Sequence, residues 1–266
     1  MWYKGFGWSP DMKLTILGTG TSTPSLKRGS ASYLLTTRKH KILVDTGPAV
    51  VRRLLECGYS VTDIDVIVIT HFHVDHTADL STFLFACNYG QEARKKPLTI
   101  MGGPGIRRFY SGLKKIYRWI APKYYRLSIV TMKRGALRLD DIAIEIFSVN
   151  HNRESIGIRV QERKAVAFTG DTAYSKSLIK LAADADLLVA ECSFPFRVMK
   201  GHMNLDAIER LTGEAKPKRV ILTHLDPEWD DFKGVLHAPY LLGEDGMTVS
   251  FHDRRNRLTG KIQLHK

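Results

Sequence analysis

The chain has 266 residues, 44% of them apolar and 25% charged, which is enough to bury a sizeable core and ordinary for a globular protein. No apolar run approaches the roughly 20 residues needed to span a bilayer, so no membrane partner is expected. The formal net charge is +13, and Cys57, Cys87 and Cys192 are too scattered for a disulfide framework or a thiolate-held zinc, which fits a reducing cytoplasmic setting.

Residues 1–11 lack the continuous apolar core of a signal peptide and read as an N-terminal extension. No linker-like stretch interrupts the remainder of the chain, so residues 12–266 are expected to form a single domain. Segments 13–17, 32–37 and 40–45 read as strands, the last two joined by a tight basic turn. Residues 48–57 read as a helix, with Pro48 in its first turn and Gly58 at its end. The wholly apolar run 66–69 suits a strand buried on both faces and stops at Thr70, directly before His71. A helix is expected over 77–88 and a strand over 98–101, followed by GGPG and a long basic helix.

Residues 93–139 contain thirteen Lys or Arg and no Asp or Glu, a surplus equal to the whole net charge. Such a block is an electrostatic footprint for a polyanion, nucleic acid most obviously and RNA among the candidates, with a solubilising surface as the plainer alternative. Tyr117, Trp119, Tyr124 and Tyr125 interleave with Lys114, Lys115, Arg118, Lys123 and Arg126, a pattern that can stack bases and hold phosphates or can be ordinary core. Further on, 142–149, 155–161 and 165–169 read as strands, 175–183 as a helix, 187–190 as a strand, 204–212 as a helix and 219–223 as a strand running into His224. Strands alternating with helices predict an α/β architecture.

The sequence His71-Phe72-His73-Val74-Asp75-His76 puts three imidazoles and a carboxylate into six residues. Imidazole and carboxylate without thiolate suit zinc, or manganese or iron where oxygen ligands dominate. In an extended loop residues 71 and 73 can point one way while 75 and 76 turn toward a second ion. A closed structural zinc is the alternative, but such sites favour cysteine.

The chain resembles the metallo-β-lactamase superfamily, in the branch that holds ribonuclease Z and related phosphodiesterases. The resemblance runs from LGTGTSTPSLKRGSASYLL and ILVDTG through THFHVDH, FTGDT and AECSF to GHMN and LTH, in the family's order. It implies a four-layer αββα sandwich, a homodimer, and two divalent metal ions. One ion would be held by His71, His73 and His151 and the other by Asp75, His76 and His224, with Asp171 bridging. It also implies that Asp45 orients a ligand histidine. Asp75 would receive the proton of an activated water, and His202 paired with Glu191 would protonate the leaving oxygen.

Two departures stand out. Only residues 152–170 separate His151 from Asp171, and they read as one hairpin where bacterial ribonuclease Z carries its tRNA-gripping arm. The motif at His202 reads HMN rather than an HST type. The expectation is therefore a metal-dependent phosphodiesterase acting on RNA or small nucleotide diesters, with tRNA 3′-end processing disfavoured. The alternatives are an arylsulfatase- or lactonase-type hydrolase, or a non-catalytic nucleic-acid-binding protein with a vestigial site. His40, His237, His252 and His265 receive no role.

Overall fold

The computed structural model describes residues 12–133 and 135–251. The expected N-terminal extension, Arg134, His252 and His265 lie outside the described residues. The first half comprises β1 (Met12–Gly18), β2 (Ser32–Thr36), β3 (Lys41–Val44), α1 (Val50–Glu56), β4 (Val66–Ile69), α2 (Val74–Thr77), α3 (Leu80–Tyr89), β5 (Leu98–Gly102), α4 (Ile106–Ile116) and β6 (Leu127–Thr131). The second comprises β7 (Gly135–Leu139), β8 (Ile142–Ser148), β9 (Ile156–Gln161), β10 (Ala165–Phe168), α5 (Lys176–Ala182), β11 (Leu187–Glu191), α6 (Leu205–Ala215), β12 (Val220–Thr223), β13 (Tyr240–Leu242) and β14 (Thr248–Phe251).

Two seven-stranded mixed sheets result, in the orders β14-β1-β2-β3-β4-β5-β6 and β13-β12-β11-β10-β9-β8-β7. The two-residue period of a strand sends alternate side chains into different cores. In β4, Val66 and Val68 join Ile16, Val44 and Met101 between the sheets, facing Ile144, Ile158, Val166 and Val189 of the other sheet. Ile67 and Ile69 of β4 point outward instead and lie under Leu54, Phe83 and Ile106 of α1, α3 and α4. On the far side, Ala167, Leu188 and Leu222 pack under Leu178, Leu181, Ile208 and Leu211 of α5 and α6. The layers therefore run helix, sheet, sheet, helix, the αββα order expected.

Four strands carry no clear signal in the sequence: β6, β7, β13 and β14. They are the four edges of the two sheets. An edge strand pairs on one side only and is partly exposed, so its apolar pattern is weak; β7, for instance, is exposed at three of its five positions.

Parallel pairing positions the site. β3 pairs with β4, and β10 with β11 and β11 with β12, all in parallel, so the carboxyl ends of each set lie on one edge. Asp45 follows β3, His71 and His73 follow β4, Asp171 follows β10, Glu191 ends β11 and His224 follows β12. Ile156 N–H donates to Thr70 O at 3.0 Å, tying the two sheets together beside these loops.

Candidate metal centre

The extended loop after β4 leaves His71 buried and His73 exposed, and the short helix α2 then carries Asp75 and His76 inward. One ligand atom each from His71, His73, His151 and Asp171 lie within 4.8 Å of one another, as do those of Asp75, His76 and His224. Asp171 stands between the two groups. Its Oδ2 is 3.6 Å from His71 Nε2 and 3.2 Å from His224 Nε2, and its Oδ1 is 3.4 Å from His76 Nε2. Asp75 Oδ2 is 3.5 Å from both His76 Nε2 and His224 Nε2. All seven residues singled out in the sequence are thus brought together.

The Nε2 atoms of His71, His76 and His224 are buried without a hydrogen-bond partner. Leaving such atoms unpartnered costs about 1–3 kcal/mol each, and natural structures rarely do so without a reason. All three face the Asp171 carboxylate, and two also face Asp75, a donor set that fits divalent cations. The electrostatics agree. Burial and the neighbouring His76 lower the His71 pKa to about 2, keeping the ring neutral. Burial also opposes charge on His76, but Asp171 and Asp45 push its pKa well up, the mark of concentrated negative charge. Burial would raise Asp75, yet His224 and His76 bring it down to about 2.

The opposite ring atoms are anchored. His76 Nδ1 lies 2.8 Å from Asp45 Oδ2, His71 Nδ1 lies 3.1 Å from Thr70 Oγ1, and His151 Nδ1 lies 2.9 Å from Gly201 O. His73 differs in its neighbours: its Nδ1 is 3.2 Å from His151 Nε2 and its Nε2 is 3.0 Å from Asn152 Nδ2. Neither Thr70 nor Asn152 is flagged by residue type or spacing. Adjacency to His71 and His151 is the one signal that could have drawn attention to them.

Glu191 is buried, and its Oε1 accepts from Thr172 N–H at 3.0 Å and stands 3.0 Å from His202 Nδ1. Burial disfavours a charged His202, but the Glu191 hydrogen bond carries its pKa above the ordinary value. The His202 ring lies parallel to that of His224 with centroids 5.5 Å apart. Both open onto a cleft of about 500 Å³, bordered by Thr21, Thr23, Phe194, Arg197 and Met199. Arg197 stands 2.8 Å from Glu228 and caps the Phe194 ring at 3.7 Å.

With this geometry in view, the model of the Anti-Pycsar protein Apyc1 family matches residues 12–242. The chain belongs to that family. Relatives of the Apyc1-family chain include the Bacillus subtilis (strain 168) protein named "Probable metallo-hydrolase YhfI", 28% identical over 219 residues, covering 80% of this chain and 87% of the relative. Ribonuclease Z of Clostridium tetani (strain Massachusetts / E88) is 25% identical over 311 residues, covering 89% of this chain and 97% of the relative. Among solved structures, the metallo-β-lactamase fold protein YhfI from Bacillus subtilis aligns with a TM-score of 0.75 at 24% identity, over 90% of this chain and 99% of that one. Human tRNase Z, short form, aligns with a TM-score of 0.75 at 22% identity, over 90% and 99%, a likeness of fold. The protein is a metal-dependent hydrolase of the metallo-β-lactamase fold, related to ribonuclease Z. Among its described residues no helix is long and apolar enough to cross a membrane.

Proposed function

We propose that this hydrolase is a phosphodiesterase that holds two divalent ions, zinc foremost with manganese or iron as alternatives, and cleaves diester bonds in RNA or in small nucleotide diesters. The observation that carries the reading is the meeting of three unpartnered buried imidazole nitrogens with two carboxylates beside an open cleft. One ion would be held by His71, His73 and His151 and the other by Asp75, His76 and His224, with Asp171 within reach of both groups. Ions held there supply Lewis acidity toward a phosphoryl oxygen and make water a competent nucleophile near neutral pH.

The chain's own groups do the rest. Asp75 is ionised and borders the cleft, so it takes the proton of the attacking water. His202, whose pKa the Glu191 hydrogen bond raises against the effect of burial, delivers a proton to the leaving oxygen. Arg197 at the rim offers a guanidinium to an anionic substrate.

The hairpin of β9 and β10 fills the interval where ribonuclease Z carries its arm, which favours a small or single-stranded substrate over folded tRNA. RNA is supported by the exposed cations of α4 and the segment after it. Homodimerisation, implied by the family resemblance, belongs to the same reading and is read directly by light scattering. Aryl sulfates and lactones are the competing substrates, because one metal centre can serve several ester classes.

The test is hydrolysis of bis(p-nitrophenyl) phosphate beside p-nitrophenyl sulfate and a lactone, with added Zn²⁺ or Mn²⁺ and a His73→Ala control. Metal-dependent diester cleavage lost in the variant supports the reading. Cleavage of the sulfate or lactone alone overturns the substrate class. A protein that purifies with little metal and cleaves nothing is the vestigial binding protein instead.

A further inference from the structure

The anchors of the metal-facing histidines differ in kind. His76 meets the Asp45 carboxylate directly at 2.8 Å. His71 reaches the same carboxylate through one hydroxyl: its Nδ1 is 3.1 Å from Thr70 Oγ1, which donates to Asp45 Oδ2 at 2.8 Å. His224 repeats that arrangement on the other sheet. Its Nδ1 lies 2.9 Å from Ser193 Oγ, and Ser193 Oγ lies 3.1 Å from Glu191 Oε2. Ser193 is 1% exposed, and its own N–H donates to the same Glu191 oxygen at 3.0 Å, so the hydroxyl has little freedom to point elsewhere.

The protons in this group can be assigned. A hydroxyl has one proton and two lone pairs, and a carboxylate only accepts. Ser193 therefore donates to Glu191, and its lone pairs face His224 Nδ1 at 2.9 Å and His202 Nδ1 at 3.1 Å, both as N–H donors. The second His202 contact, 3.0 Å to Glu191 Oε1, is satisfied by the same N–H. The Nδ1 proton of His224 is thereby assigned to Ser193, which leaves Nε2, facing Asp171 and Asp75, as the ring atom available to a cation.

We propose that Ser193 is a positioning residue that joins the ligand His224 to the Glu191–His202 pair, so that one buried carboxylate orients both a metal-holding imidazole and the imidazole that faces the leaving group. This rests on the roles proposed for His224 and His202 in diester cleavage. Glu191 contacts His202 directly and reaches His224 through Ser193, so on the His224 side it acts at a distance, through that hydroxyl.

The test uses the full chain and the Ser193→Ala, Glu191→Gln and doubly substituted variants. Zinc affinity is measured by competition with a chromophoric chelator, and kcat and KM are measured with bis(p-nitrophenyl) phosphate. Ser193→Ala weakens one zinc equivalent by about 10–100-fold, the usual effect of removing a ligand's hydrogen-bond partner, and lowers kcat with little change in KM. Glu191→Gln weakens the same equivalent, and the double variant is no worse than the stronger single, because linked residues are not additive. Wild-type zinc affinity in Ser193→Ala, or costs that add in full, overturns the proposal. Should Ser193→Ala fail to fold, Glu191→Gln still decides, since unchanged zinc affinity there breaks the proposed link. A wild type that binds two zinc equivalents yet leaves the diester intact overturns the phosphodiesterase reading alone, and the zinc measurements still decide Ser193.

Discussion

Asp45 Oδ2 stands 2.8 Å from His76 Nδ1, and the same carboxylate accepts the Thr70 N–H at 2.7 Å and the Thr70 hydroxyl at 2.8 Å. One side chain thus contacts the ring of His76 and, through Thr70, that of His71, so it reaches both candidate metal groups. Asp45 also holds a left-handed backbone, φ 61°, that Asn tolerates and Ala resists. Asp45→Asn is expected to fold and to lose about 10–100-fold in zinc affinity, as read by chelator competition. Asp45→Ala adds about 1–2 kcal/mol of backbone strain and unfolds at lower temperature than Asp45→Asn. Wild-type zinc affinity in Asp45→Asn would sink the idea that this carboxylate orients the ligands.

Gly47, two residues further on, has no room for a side chain. A Cβ there would lie 2.1 Å from the Asp75 carbonyl oxygen and 2.7 Å from Ser30 Cβ. Since the first obstacle is backbone, Gly47→Ala must displace the short helix α2 that carries Asp75. The expected result is a loss of about 1–3 kcal/mol of stability, the usual cost of overpacking, together with a loss of bound metal. A Gly47→Ala protein with full metal content and unchanged melting would show that α2 yields freely.

The basic segment divides into two kinds of residue. Arg107, Arg108, Lys114, Lys115 and Arg118 are exposed on and just beyond α4, and among the described residues no carboxylate pairs with them. Tyr117, Trp119 and Tyr124 are exposed beside them, whereas Tyr125 is buried in the core and takes no part in this face. Reversing Lys114, Lys115 and Arg118 to Glu is expected to weaken binding of a single-stranded RNA and to flatten its salt dependence by about 0.7 per lost phosphate contact. Unchanged affinity and slope would leave the face a solubilising surface.

Arg94 belongs to that segment by sequence and not by place. It is 0% exposed, and its guanidinium donates to the carbonyls of Val61 at 2.8 Å, Lys96 at 2.7 Å and Pro97 at 2.7 Å, with Ile64 as a fourth. It pins the approach to β4 and β5 rather than meeting a polyanion. Arg94→Met orphans these acceptors at about 1–3 kcal/mol each, less whatever water recovers, so a loss on the order of 3 kcal/mol is expected. That corresponds to roughly 6–12 °C in melting temperature, with RNA affinity of the folded protein unchanged. A shift of under a degree would contradict the assignment.

Asp186 offers a pH test remote from the metal centre. Burial would raise its pKa, but the Ala165 N–H at 3.0 Å, Lys218 at 2.9 Å and Lys164 at 3.5 Å hold it below the ordinary 3.8. A carboxyl lowered on folding stabilises above its unfolded pKa, and that contribution is lost as pH falls through the folded value. Asp186→Asn should therefore melt below the wild type at pH 6 and converge with it as the medium is acidified below 3.8. A gap that persists unchanged at low pH would show that charge is not what this carboxylate contributes.

Much of the interior is legible because it is local. The buried strands β3, β4, β10 and β11 announce themselves as short apolar runs, and the helices α1, α3, α5 and α6 by their spacing and flanks. The edge strands are not legible, since a half-exposed strand in a basic stretch such as β6 differs little from a loop.

The sequence by itself determined the donor types. His71, His73, Asp75 and His76 fall within one short stretch of chain, and His151, Asp171 and His224 each follow an apolar run, so residue chemistry and order alone mark them. Only the tertiary structure decided what holds them. Ser193 serves His224 across thirty-one positions and Asp45 serves His76 across another thirty-one. Gly47 is small because the Asp75 backbone passes over it, and Arg94 is structural because the carbonyls of Val61, Ile64 and Pro97 turn toward it. Hydrogen bonds and steric contacts depend on distances of a few ångströms between groups far apart in the chain. Nothing in the identity of a serine, a glycine or an arginine records which neighbours folding will bring that close.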